Sequence, residues 1–176
     1  MLGGDLPTTP VFEMDNRSKR SIAVDLTTAE GLGVAMDLLA DAYVFITNLR
    51  VGALRRLGLD HESLSERFPR LVYGQVTGYG REGEDADRPA YDIGAFWARA
   101  GLAALLTVPG GDPPFQRGGM GDHSTGMSAA AAISAALFDR ERSGKGQLVE
   151  TSLMRQGAYT ISFDLNILLM WGATLE

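Results

Sequence analysis

The chain has 176 residues, a formal charge of −6 and no cysteine; 45% of its residues are hydrophobic and 22% charged. Such values belong to a globular chain, and a chain near this length hides roughly 70% of its unfolded surface. Disulfides, thiolate metal sites and a cysteine nucleophile are excluded, as is a His-rich metal centre, because the only histidines are His61 and His123.

Net acidity also argues against a general nucleic-acid binder, whose footprint is basic. The first residues lack the basic and apolar regions of a signal peptide. The apolar stretch from Ala158 to Trp171 carries Asp164 and Asn166 and falls short of a membrane span. The expectation is a soluble, cytoplasmic protein.

In chain order, residues 1–15 read as an N-terminal loop broken by Gly3, Gly4, Pro7 and Pro10. Ser21–Leu26 has the composition of a strand. Thr27 and Glu30 fit a capping box at the start of a helix that runs to about Ala40, with Leu32, Ala35, Leu38 and Leu39 on one face. Tyr43–Thr47 is a continuous apolar run of the kind found in buried parallel strands. Two short helices follow, Val51–Leu57 closed by Gly58 and a second opened by Asp60 and ended before Pro69; Leu71–Thr77 is the next strand. Gly78–Pro89 reads as loop, Tyr91–Leu106 as helix, and Pro109–Gly121 as a glycine-rich loop. Ser124–Arg142 reads as the strongest helix, with small residues from Ser128 to Ala136; Gln147–Leu153 is a strand, and Met154–Trp171 a last helix, apolar on most sides. Strands alternating with helices predict an α/β fold: an open, Rossmann-like parallel sheet with flanking helices.

Two features carry chemistry. Gly118-Gly119-Met120-Gly121-Asp122-His123-Ser124-Thr125-Gly126 precedes the long helix. As a dinucleotide fingerprint it is weak, because Ser124 stands where a third glycine is wanted. Asp122 or Ser124 can serve simply as the helix N-cap. Alternatively Asp122 is a reactive carboxylate, kept ionised by the helix N-terminus and approached closely past its glycines, with His123 beside it to orient or tune. The second feature is cationic: Arg17, Lys19 and Arg20 with Arg50, Arg55 and Arg56, a combination suited to a phosphate-bearing ligand as well as to a solvated face.

The segment Asn16-Arg17-Ser18-Lys19-Arg20-Ser21-Ile22-Ala23-Val24-Asp25-Leu26 resembles the N-R-G-K-R-S-I-x-L-D-L signature of family III CoA-transferases, the CaiB/BaiF type. The resemblance continues in order through Asn48-Leu49-Arg50, Arg56-Leu57-Gly58, Gly78-Tyr79-Gly80, Arg88-Pro89-Ala90-Tyr91-Asp92, Gly121-Asp122 with Gly126, and Arg142 to Gln147. It implies that Asp122 attacks an acyl-CoA thioester, that a mixed anhydride forms and coenzyme A leaves, and that the returning thiolate makes an aspartyl-CoA thioester which the acceptor acid attacks. Val24, Asn48, Arg56 and Tyr91 match positions that bind CoA, and Leu49 stands where the family often has Phe. A CoA thioester is then the substrate, with a carboxylic acid as second substrate, and no metal or redox cofactor is implied.

The family also contains α-methylacyl-CoA racemases, which need a general acid/base pair. They resemble this chain but carry His at the position of Tyr91, so Tyr91 favours the transferase. The resemblance further implies a homodimer, interlocked at full length. It implies that residues 16–176 are a partial large, CoA-binding domain, with the family's first strand and second domain absent. A non-catalytic CoA-transferase fragment is the remaining alternative.

Overall fold

The computed structural model describes residues 9–172. Its centre is a three-stranded parallel sheet, β1 (Val44–Thr47), β2 (Val72–Thr77) and β3 (Leu148–Ser152), in the order β1-β2-β3. Val44 pairs with Val72, and Tyr73 with Leu148. All three strands therefore end at one rim, and the loops that leave them gather there.

Side-chain alternation along β2 sends neighbours to opposite faces. Tyr73 faces the helices α2 (Ala29–Ala40), α3 (Val51–Leu57) and α4 (His61–Arg67) through a core of Leu39, Leu54, Leu59, Leu64 and Leu71. Its ring meets Phe45 edge-on at 5.3 Å, its hydroxyl donates to the Leu59 carbonyl at 2.9 Å, and burial pushes its phenol up to about 12. Val72 and Val149 face the opposite layer, the long helix α6 (Met120–Ser143), through Ala136, Ile133 and Leu137. Gly74 lets that helix approach: a β-carbon there would stand 2.9 Å from Ile133 Cδ1.

The short helices close where their sequence says. Gly58 ends α3 at φ 64, and the Asp60 carboxylate accepts the Ser63 N–H at 3.1 Å to open α4.

Five expectations change. Residues 10–15 form a short helix, α1 (Pro10–Asp15), where a loop was expected, with Pro10 at its first position, where a missing N–H costs nothing; residues 1–8 lie outside the described residues. Ser21–Leu26 is irregular rather than a strand, and Ile22 and Val24 are exposed: β-forming side chains make a strand only where a neighbour supplies the ladder, and none of the described strands lies beside this segment. The cap of α2 is Thr28, whose hydroxyl accepts the Gly31 N–H at 3.1 Å; Thr27 is turned instead to the Asp25 carboxylate at 2.6 Å.

The helix expected over Tyr91–Leu106 is wound as a π-helix from Ile93 to Arg99, then breaks at Gly101 (φ 101) before a single turn, α5 (Leu102–Leu105). The last helix is two, α7 (Leu153–Thr160) and α8 (Ser162–Trp171), parted at Ile161. Thr160 there bonds back to the Gln156 carbonyl, which weakens a helix. α8 buries none of its residues. Among the described residues no helix is long and apolar enough to cross a membrane.

Candidate active site

A cavity of about 280 Å³ opens at the carboxyl ends of the three strands. Asn48 comes from just beyond β1, Thr77 and Gly78 from the end of β2, and Leu153 from just beyond β3. Tyr91 and Asp92 enter from the start of the π-helix, and Asp122 and Thr125 from the first turns of α6. Clefts of open parallel sheets lie at this rim because the loops leaving the strands diverge there.

Each wall has a local cause. Asn48 and Leu49 sit on a turn held by the Thr47 hydroxyl, which accepts the Leu49 N–H at 3.1 Å, and by buried Gln75, which donates to the Leu49 carbonyl. The loop after β2 doubles back so closely that a β-carbon on Gly78 would stand 2.1 Å from that of Ala90, and this return delivers Tyr91 to the cavity.

α6 begins one turn earlier than its sequence suggests. The residue before its first turn is Gly119, at φ 80, so neither Asp122 nor Ser124 is its cap. The capping carboxylate comes from elsewhere in the chain. Asp92 accepts the Gly121 N–H at 3.1 and 3.2 Å and the Gln116 side-chain amide at 2.7 Å. Phe96 fills the space a β-carbon on Gly121 would need. In the sequence Asp92 stands out only as the neighbour of Tyr91, and Gln116 not at all; glycine in the first turn of a long helix is the one signal that something packs there.

The Asp122 carboxyl is exposed at the cavity mouth, yet its pKa lies above the usual carboxylate range. Partial burial is the main cause; the Asp92 and Asp15 charges add to it and His123 opposes it. These effects outweigh the helix N-terminus, which alone would favour ionisation. His123 is turned away to Asp15, with Nε2 3.3 Å from its carboxylate. Thr125 is buried, and its hydroxyl has no hydrogen-bond partner.

Two further clefts continue outward. One of about 220 Å³ shares Asn48, Thr77, Gly78, Ala90 and Tyr91 with the first and adds Leu49, Arg50 and Arg88; another of about 470 Å³ shares Leu49 and Arg50 and adds Gly52, Ala53, Arg56 and Asp87. Asp122, Asn48 and Tyr91 are thus in one cavity, and Leu49 and Arg56 lie along its extension. Val24 lines none of the three, nor do Arg17, Lys19, Arg20 or Arg55. Of the cationic cluster, only Arg50 and Arg56 reach the groove.

This architecture is that of an open-sheet α/β domain with its clefts at the carboxyl rim. The chain belongs to CoA-transferase family III, whose sequence profile matches residues 4–175. It is 39% identical to the cinnamoyl-CoA:phenyllactate CoA-transferase of Clostridium sporogenes over 84% of this chain and 36% of that protein. It is 34% identical to the (R)-2-hydroxy-4-methylpentanoate CoA-transferase of Clostridioides difficile, over 85% of this chain and 38% of that one. The crystal structure of a CaiB/BaiF family protein from Brucella suis superposes with a TM-score of 0.84 at 34% identity, covering 92% of this chain and 42% of that chain. The chain therefore spans well under half the length of these relatives.

Proposed function

We propose that this chain supplies the CoA groove and the nucleophile of a CoA-transferase that moves CoA between an acyl-CoA and a carboxylic acid. The observation that carries this reading is the meeting of Asp122, Asn48 and Tyr91 in one cavity whose groove runs on to Arg50 and Arg56. The two guanidinium groups suit the phosphates of CoA, and the groove leads the thioester end toward Asp122.

In the chemistry proposed, the Asp122 carboxylate attacks the thioester carbonyl and expels CoA thiolate, leaving a mixed anhydride. The thiolate then attacks the aspartyl carbonyl, which releases the first acid and gives an aspartyl-CoA thioester. The acceptor carboxylate attacks that carbonyl in turn, and the thiolate takes the new acyl group, restoring Asp122. A carboxylate of raised pKa is more basic and so a better nucleophile once ionised.

Racemase chemistry is not favoured: no histidine lines the cavity among the described residues, and His123 pairs with Asp15. The family likeness extends the proposal to a homodimer, checked by light scattering of the full-length protein.

Incubation of the full-length protein with acyl-CoA and hydroxylamine, followed by mass spectrometry, tests the reading. A hydroxamate on Asp122 that is lost in Asp122→Ala is the expected result. No adduct with any acyl-CoA would sink the nucleophile and favour a non-catalytic role.

A further inference from the structure

The N-terminus of α6 has an unusual owner. A helix is ordinarily capped by the residue just before it, but here that residue is Gly119, which has no side chain to offer. The acceptor is Asp92, 29 positions before Gly121 in the chain. Both of its oxygens accept the Gly121 N–H, and Oδ1 also takes the Gln116 amide at 2.7 Å. The contact demands glycine, since a β-carbon at 121 would lie 2.1 Å from Asp92 Oδ1 and 2.4 Å from Phe96 Cγ. The π-helical winding of Ile93–Arg99 follows directly after Asp92 and buries Phe96 in this same place. Wide turns of this kind recur beside functional sites. One residue past Gly121 stands Asp122, and both carboxylates line the same cavity.

We infer that Asp92 is a positioning residue for Asp122: it anchors the turn that presents the Asp122 carboxylate and supplies the like charge that carboxylate faces. The inference rests on the nucleophile role proposed above. Cap and charge are separable in principle, because an N–H needs only an acceptor, whereas a neighbouring carboxylate feels the full charge. The charged groups facing Asp122 are Asp92 from the start of the π-helix, His123 from α6 itself and Asp15 from α1. Asp92 and Asp15 raise the Asp122 pKa and His123 lowers it, with partial burial the largest cause. Asp92 is the one of the three that also holds the backbone of α6.

Asp92→Asn separates the two roles. The asparagine oxygen can still accept the Gly121 N–H. Its new amide can meet the Gln116 Oε1, a buried oxygen without a partner in the native site, once that side chain turns over. The readout is the Asp122 carboxyl signal in carbon-13 NMR titrations of the full-length protein, together with the pH profile of acyl transfer. In Asp92→Asn, Asp122 should titrate at lower pH, and the acid limb of kcat should move down with it. The plateau kcat should fall while KM for acyl-CoA holds. A residue with a merely structural role would not move the limb.

Should the asparagine variant fail to fold, Asp92→Ser, which keeps an acceptor and removes the charge, is read in its place: Asp122 should again titrate at lower pH, and an unmoved titration overturns the inference. An Asp122 titration unmoved in a folded Asp92→Asn overturns it as well, even if CoA transfer is normal. If the full-length protein transfers no CoA but the Asp122 titration still shifts, the transferase reading fails and the link between the two carboxylates stands.

Discussion

The two rims of the sheet are built on opposite rules. At the rim where the strands begin, the buried Arg140 guanidinium at the end of α6 donates to the Tyr43 and Arg70 carbonyls and lies over the Tyr43 ring. The Gly146 N–H donates to the Pro69 carbonyl, and Gly144 closes the helix at φ 73. At the rim where the strands end, two carboxylates share a cavity, a buried Thr125 hydroxyl has no partner, and Tyr91 projects into solvent. One helix spans both: its last turn ties strand starts together, and its first turn holds a carboxylate in an unfavourable setting. The last turn of α6 thus makes stabilising contacts, while its first turn carries a carboxylate whose surroundings disfavour its charge.

The sharpest way to break this contrast is Asp122→Ala, which should cut acyl transfer by at least about 10⁴-fold while leaving the thermal midpoint no lower. Steady-state assay and calorimetry of the same full-length preparation check both halves. At the opposite rim the effect should be structural. A β-carbon on Gly146 would lie 2.0 Å from the Leu71 carbonyl oxygen, so Gly146→Ala should cost about 3 kcal/mol or more in urea unfolding. Arg140→Ala strands the Arg70 carbonyl, leaves the Tyr43 carbonyl only the Val72 N–H, and should cost about 2–3 kcal/mol, with CoA affinity in the folded fraction unchanged.

A subtler test uses pH. The folded pKa of Asp122 lies above its unfolded value, so the folded state holds the proton more tightly. Stability is then lost as pH rises through that interval and recovered below the unfolded pKa. Asp122→Asn should raise the unfolding midpoint relative to the native protein at pH 7, and the gain should vanish at acid pH. The smallest effect belongs to neither rim. Ser18 stands where the family signature has glycine and adopts φ 59, so Ser18→Gly should stabilise by up to about 1 kcal/mol.

Local signals were read well where the cause is local. Gly58, Asp60 and Gly144 act on their own turns, and the helix ends they close or open came out where their sequence placed them. Tyr43–Thr47, Leu71–Thr77 and Gln147–Leu153 became the three strands because each has a partner. Ser21–Leu26 also has the composition of a strand and became none, for want of a partner among the described strands. Asp122 was legible from its glycines, and the family signature drew in Asn48, Leu49, Arg56 and Tyr91. The signature also drew in Val24, which lines none of the clefts.

What composition, spacing and motif determined by themselves was an α/β chain with a cationic strip and one glycine-flanked carboxylate; the resemblance of its segments to family III CoA-transferases added the family. Tertiary structure alone decided that α6 starts at Met120, that a π-helix carries Phe96 against Gly121, and that Asp92 caps a helix 29 residues away. It also reversed the sign of the argument about Asp122. Sequence offers the helix N-terminus, which favours a charged carboxylate; the folded chain adds partial burial and the charges of Asp92 and Asp15, and their sum prevails. A cap needs only its own turn, but a field is the sum of whatever the fold brings near.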